Sequence, residues 1–280
     1  ENYAREVMEL HTLGVDGGYT QADVISLAHI LTGWTVGPGA ESQAALAAET
    51  FGKNRGAFRF ARGRHDPSPE TLLGKGFSGD DVSEGESALL MLAAHPATAH
   101  HISFQLAQYF VADTPDPGLV AAMAKSFHAS GGDIGAVMRT MLSHPAFLAP
   151  ANIATKYKTP YRYLVSAARA AAIAPTDVAP LIPTLADLGQ PLYGCVTPDG
   201  YACTQSAWLD PEGLLHRVSF AVALGAGEFN RAGDFAPPDP DRILAAVGPA
   251  LGKATLTALA QTPRASRAGA ILGSPDFMRC

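Results

Sequence analysis

Hydrophobic residues spaced three and four positions apart predict helices along most of the chain. Near residue 1, Tyr3, Val7 and Leu10 form one such apolar face. A second face runs from Val24 to Leu31, after a short segment rich in glycine. Residues 1–34 therefore predict two helices joined by a tight turn, which together form a helical hairpin.

Local signals indicate where the second helix begins. Thr20 takes the N-cap position, and Asp23, three residues later, takes the acid position of a capping box. The same segment resembles the second half of an EF-hand loop, which makes Asp16, Thr20 and Asp23 candidate calcium ligands. The aligned first and third ligand positions are Thr12 and Gly14, which carry no carboxylate. We therefore favour a capped turn without an ion, and a calcium site would need oxygen ligands from elsewhere in the fold.

Proline divides the rest of the chain into further helices. It stands where a first helical turn is expected at Pro96, Pro117, Pro160 and Pro211. Residues 51–65 alternate weakly between apolar and basic, which predicts either a minor β hairpin or an extended arm. We therefore predict an all-α protein with many short helices and long loops, in a single domain spanning residues 1–280.

Composition narrows the classes of function. A chain of 280 residues with 47% hydrophobic and 16% charged residues can bury a large core. A net charge of −6 without a lysine or arginine cluster argues against nucleic-acid binding. No apolar run reaches membrane-spanning length, and no haem-attachment or nucleotide-binding motif is present.

Ionisable residues suggest one enzymatic hypothesis. Glu6 and Glu9 share one side of the first predicted helix, whereas His11 lies about 140° from Glu6 around it. A site would therefore need His65 or Asp66 to fold over this helix. Together these five residues are the candidate catalytic or metal-binding groups of a metal-dependent, hydrolase-like enzyme. The alternative that we favour is a buried polar network, in which Arg5, Glu6, Glu9 and His11 bond to one another and to nearby backbone groups.

The segment 189–206 is predicted to be a long polar loop. Loops of this length are more often functional than simple connectors, so we predict a binding surface here. Its candidate contact residues are Gln190, Tyr193, Asp199, Tyr201 and, at its far end, Trp208.

Several motifs resemble those of the bacterial family called domain of unknown function 1800. The longest is the N-terminal run NYAREVMELHTLGVDGGYTQADV, which is followed by LTGW. Others are Arg64-His65-Asp66, KYKTP at 156–160, LGQP at 188–191 and TPDGY at 197–201. The resemblance spans almost the whole chain, and its first motif is long enough to be specific.

This resemblance implies an exported, mostly helical bacterial protein without an assigned activity. Genes of the family often lie beside those of a second exported family, domain of unknown function 1501, which suggests a partner. Members are usually longer at the N-terminus, so we expect a leading segment before residue 1, which is another candidate partner. Our functional expectation is a periplasmic, cell-envelope or extracellular scaffold, with the metal-dependent enzyme as the alternative.

Export also bears on the cysteines. An oxidising compartment favours a disulfide between Cys195 and Cys203, which would staple the loop. The alternative is two reduced thiols. The sequence assigns no partner to Cys280.

Overall fold

A computed structural model describes residues 1–36, 58–173, 179–228 and 236–280. Within these residues the fold consists of twelve α-helices and two short pairs of antiparallel strands. The predicted all-α class is confirmed. Among the described helices, none combines the length and the apolar character needed to cross a membrane.

The elements follow one another in a simple order. The first helices are α1 (Asn2–Glu9), α2 (Gln21–Ile30), α3 (Val82–Ala93), α4 (Pro96–Phe110), α5 (Pro117–Ala129) and α6 (Ile134–Ser143). The later helices are α7 (Pro160–Ala170), α8 (Leu181–Asp187), α9 (Pro211–Ala226), α10 (Pro240–Val247), α11 (Lys253–Gln261) and α12 (Arg264–Leu272). The strands β1 (Trp34–Val36), β2 (Phe58–Phe60), β3 (Glu70–Leu72) and β4 (Lys75–Phe77) all lie between α2 and α3.

The chain forms two compact units. Unit 1 comprises Glu1–Phe104 and Val120–Thr140, and unit 2 comprises Gln105–Leu119 and Met141–Cys280. Each unit contains a hydrophobic core of its own. That residues 1–280 form a single domain stays a prediction.

The predicted helical hairpin is present in unit 1. The Thr20 side chain accepts the Asp23 N–H, and the Asp23 carboxylate accepts the Thr20 N–H at 2.8 Å, so the capping box is complete. Val24 and Leu27 are fully buried on the inner face of α2. The spacing of apolar residues therefore predicted both the helix and its buried side.

The strands differ in part from the prediction. β2 lies inside the predicted segment 51–65 but pairs with the upstream β1, in the register Trp34 to Phe60, and residues 51–57 lie outside the described part of the chain. The β3–β4 hairpin was not predicted. Its two-residue turn places Leu73 and Gly74 at φ of +50° and +77°, as a type I′ turn requires.

In unit 2, α9 packs closely on α12 through glycine. A Cβ atom on Gly225 would lie 2.3 Å from the backbone nitrogen of Gly269, so no larger residue fits without moving a helix. The same helix places Phe220 and Leu224 in the core of the unit.

Arg217 lies on the buried face of α9. Its side chain is only 1% exposed, and its Nη1 and Nη2 have no hydrogen-bond partner among the described residues. The guanidinium instead lies 4.5 Å from the ring centre of Tyr157 and 5.0 Å from that of Tyr163. Burial lowers the pKa of Arg217, against the opposing effect of the two tyrosines. The two rings stabilise the cation, but they do not replace its lost hydrogen bonds to water.

Because the guanidinium is desolvated without hydrogen-bond partners, we expect Arg217→Met to change the free energy of unfolding by less than about 1 kcal/mol. Arg217→Ala leaves a cavity and should cost about 3 kcal/mol. Urea denaturation of both variants measures the difference. Equal destabilisation by Met and Ala would show that the charge itself stabilises the fold.

Candidate functional site

The base of the loop 189–206 is held by a buried lysine. The Lys156 side chain is 4% exposed and forms an ion pair with Asp113. Its Nζ also donates to the carbonyl oxygen of Cys203 at 2.7 Å. The second Asp113 oxygen accepts the N–H of Gln205 at 2.6 Å. One ion pair therefore binds the loop backbone at two positions.

An extended segment brings Lys156 to this place. Residues 156–158 lie antiparallel to the last residues of the chain, where Lys156 and Cys280 exchange backbone hydrogen bonds of 3.2 and 2.9 Å. On the same segment, Lys158 donates to the carbonyl of Phe277 at 2.7 Å and covers its ring. Both lysines thus form contacts with other residues of unit 2.

The two ends of the loop are fixed by side-chain hydrogen bonds. At the first end, Gln190 Oε1 accepts the N–H of Tyr161, the second residue of α7, at 2.8 Å. At the second, Trp208 Nε1 donates to the Ala202 carbonyl at 2.8 Å. Across the loop, the Tyr201 hydroxyl donates to the Pro191 carbonyl at 2.8 Å. Of the predicted contact residues, Gln190, Tyr201 and Trp208 therefore shape the loop.

The tip of the loop has the opposite character. Tyr193 and Val196 are fully exposed, at 104% and 97%, and Leu192 is half exposed. Tyr193 also adopts a left-handed backbone conformation, with φ of +55°, which costs a side-chain-bearing residue about 1 kcal/mol. Asp199 lies exposed in the same loop. We call Leu192, Tyr193 and Val196 the loop tip.

The predicted disulfide is not formed, since all three cysteines of the chain are free. The Cys195 thiol lies 3.5 Å from the Thr197 carbonyl oxygen, and the Cys203 thiol lies 3.8 Å from Oε1 of Gln108. Each sulfur thus contacts a different acceptor, and the Lys156–Asp113 pair performs the stapling that we had assigned to the cysteines.

In unit 1, the structure brings His65 to a carboxylate that the sequence did not indicate. His65 Nε2 lies 3.3 Å from Glu84 Oε2, and their side chains are 1% and 3% exposed. His65 Nδ1 faces the Thr32 carbonyl oxygen at 3.1 Å, and Glu84 Oε1 accepts the Gly79 N–H at 3.0 Å. Burial raises the pKa of Glu84, and the nearby His65 only partly opposes this effect.

A second histidine pair lies beside the first. His29 Nδ1 is 2.6 Å from Glu70 Oε1. Thr32 connects the two pairs, because its hydroxyl donates to the His29 carbonyl at 2.5 Å and lies 3.3 Å from His65 Nδ1. The Asp66 N–H donates to the same hydroxyl at 2.8 Å. The cluster joins α2, β3, α3 and the segment after β2.

The α1 candidates do not join this cluster. The Tyr19 hydroxyl donates to Glu9 at 3.3 Å, Arg5 donates to Gln21, and His11 is exposed. Arg5 and Glu9 therefore bond to Gln21 and Tyr19, and the buried network that we predicted among Arg5, Glu6, Glu9 and His11 is wrong. Across residues 1–36, 58–173, 179–228 and 236–280, no group of three or more His, Cys, Asp or Glu side chains could hold a metal ion.

Asp23 has a structural role in place of a calcium-binding one. Besides capping α2, its Oδ1 accepts the N–H of Leu73 at 2.7 Å. Burial acts to raise the pKa of Asp23, but hydrogen bonds from Thr20 and Leu73 outweigh it and hold the pKa below its usual value. Asp16 is exposed in the preceding turn. The carboxylate of Asp23 thus fastens the unpredicted β3–β4 turn to α2.

Sequence reasoning identified His65 and Asp66 but missed their neighbours Glu84, His29 and Glu70. Glu84 comes just after the start of α3, where an acid is ordinary, and its burial depends on contacts with distant residues. Lys156 was visible only as part of the KYKTP motif. No sequence pattern marked Asp113 as the partner of Lys156, because 43 residues separate the two in the chain.

Because the folded chain raises the pKa of Glu84 above its ordinary value of 4.5, the folded state favours the protonated acid. Its contribution to stability is complete below about pH 4.5 and is lost as pH rises through the folded pKa. We therefore expect the melting temperature of the wild type to fall by a few degrees relative to Glu84→Gln between pH 4 and pH 8. Glu86→Gln, exposed on the same helix, controls for loss of charge. A difference that is constant with pH would contradict the account.

Comparison with known proteins supports the resemblance seen in the sequence. Residues 1–279 match the family model described as "Protein of unknown function (DUF1800)". No curated protein and no solved structure matches the chain. Since the match covers essentially the whole sequence, this chain belongs to the DUF1800 family of proteins of unknown function.

Proposed function

We propose that the chain is a binding partner of another protein of the cell envelope and that the loop tip is its main contact. One observation carries this proposal. Leu192, Tyr193 and Val196 expose apolar side chains on a loop whose base and ends are fixed by hydrogen bonds. Exposed apolar groups in one place mark interaction sites more often than isolated ones do.

The physical advantage of this arrangement is preorganisation. Ordering a flexible loop on binding opposes association. Here the ion pair of Lys156, together with the Gln190, Tyr201 and Trp208 hydrogen bonds, fixes the loop before a partner arrives. A tyrosine contributes a large apolar area with few rotatable bonds, and aromatic side chains are common among the residues that dominate binding energy.

The proposal also includes a compartment and a partner. We propose that the chain acts outside the cytoplasm, on the basis of the export expected from the family resemblance. A protein of the exported family domain of unknown function 1501 is the candidate partner, because the genes of the two families often lie side by side.

The arrangement of the acid and histidine residues supports the enzymatic alternative less well. A general acid or base must reach its substrate, but the His65 and Glu84 side chains are almost completely buried. Glu9 and His11 lie on or beside α1 and contact other residues or solvent. The geometry therefore favours a cluster that joins four elements of unit 1.

The contact is tested with a purified candidate partner and the double variant Tyr193→Ser/Val196→Ser. Because truncation of a central contact residue typically costs about 2 kcal/mol, we expect affinity to fall by at least about tenfold. Isothermal titration calorimetry measures the affinity. Circular dichroism should show an unchanged fold, since both side chains project into solvent.

A matched control is Leu90→Ser/Leu148→Ser, which removes two apolar side chains of high exposure, 71% and 70%, outside the loop. This variant should bind the partner as the wild type does. Equal affinity of the loop-tip variant and the wild type would refute the assignment of the contact. Absence of binding by the wild type would refute the choice of partner.

A further inference from the structure

An apolar groove lies between α7 and α8 in unit 2. It has a volume of about 410 Å³, and its lining includes Leu164, Val165, Leu181, Ile182 and Leu185. Val165 and Ile182 are large hydrophobic side chains that remain exposed to solvent. The volume lies within the range of small-molecule sites, about 300–1,000 Å³. The groove therefore offers an apolar surface of the size that a small ligand covers.

One end of this groove carries a cation. Arg169, in the last turn of α7, is the charged residue among the described residues that line the groove. Its side chain is exposed, and it makes no hydrogen bond or ion pair with any residue that the structure describes. The other arginine of α7, Arg162, lies over the ring of Tyr109 at 4.7 Å. With respect to the described residues, the guanidinium of Arg169 thus keeps its N–H donors available to a ligand.

The two features together define a ligand. An apolar groove suits an acyl chain, and a guanidinium without a partner among the described residues suits a carboxylate, to which it can donate two parallel hydrogen bonds. We infer that the groove binds an anionic amphiphile of the fatty-acid class, with its chain along Val165 and Ile182 and its carboxylate on Arg169.

Arg169 could also serve only to stabilise the C-terminal end of α7, and this role differs from carboxylate binding in what it requires. A cation in the last turn interacts favourably with the carbonyl end of its helix, and that interaction requires only positive charge. Recognition of a carboxylate by a planar fork also requires guanidinium geometry. Arg169→Lys separates the two roles, because it keeps the positive charge and removes the planar guanidinium with its paired N–H donors.

The direct test is titration of the full chain with dodecanoate below its micelle concentration, followed by calorimetry. We expect saturable binding of one dodecanoate per chain and much weaker binding of hexanoate, because each buried methylene contributes about 0.8 kcal/mol. Dodecanol, which has the same chain and no charge, should bind more weakly than dodecanoate. Absence of dodecanoate binding to the folded wild type would overturn the inference.

Variants assign the two parts of the site. Arg169→Gln should weaken dodecanoate binding about tenfold while leaving dodecanol binding unchanged, and Arg169→Lys should recover only part of the loss. Ile182→Trp and, independently, Val165→Trp should fill the groove and abolish binding of both ligands. Arg139→Gln, at an exposed arginine in unit 1, is the control for charge. Unchanged dodecanoate affinity in Arg169→Gln or in both folded tryptophan variants would overturn the inference.

The variant Tyr193→Ser/Val196→Ser separates this inference from the partner-binding proposal. It should retain full dodecanoate affinity, since neither residue lines the groove, whereas Leu192 of the loop tip does line it and is left unchanged. If Ile182→Trp abolished binding of the purified envelope partner and the wild type did not bind dodecanoate, the groove would be a protein-docking site and the inference would be wrong.

Discussion

The ion pair between the buried Lys156 and the partly exposed Asp113 is the interaction on which the proposed binding surface depends. A buried ammonium group is costly unless a charge and further acceptors surround it. Here the carboxylate of Asp113 and the carbonyl of Cys203 provide both. Asp113 in turn accepts the Gln205 N–H. The energetic requirement of one lysine therefore fixes the backbone of a long polar loop, without a disulfide.

Unit 1 follows the same physical rule with acids and histidines. Glu84 is satisfied by His65 and the Gly79 N–H, and Asp23 is satisfied by the Thr20 cap and the Leu73 N–H. Each carboxylate joins parts of the chain that are distant in sequence. His65 and Asp23, which the sequence made candidate site residues, thus help to hold short strands and short helices together. The exposed apolar surfaces that carry our functional proposals lie in unit 2.

Local rules predicted much of the fold. The capping box of Thr20 and Asp23, the buried face of α2 and the proline starts of α4, α5, α7 and α9 depend only on neighbours within a few residues, so the sequence displays them directly. The β3–β4 hairpin was missed because Leu73, a residue with a side chain, adopts a positive φ that glycine would ordinarily signal.

The candidate site was less predictable, because it depends on long-range pairs. The sequence indicated the loop 189–206, but it could not separate Tyr201 and Trp208, which shape the loop, from Tyr193, which is exposed. Nor could it indicate that Lys156 would meet Asp113 or that His65 would meet Glu84. These partners are 43 and 19 residues away in sequence and carry no shared pattern.

The most direct test of the central claim is native-state hydrogen exchange of the loop in the wild type and in Lys156→Met. Methionine has a similar shape and cannot form the ion pair or the hydrogen bond to Cys203. If the ion pair preorganises the loop, the Gln205 amide is protected in the wild type and exchanges much faster in the variant, while the amides of α7 and α9 keep their protection. Equal protection of Gln205 in the two proteins would contradict the account.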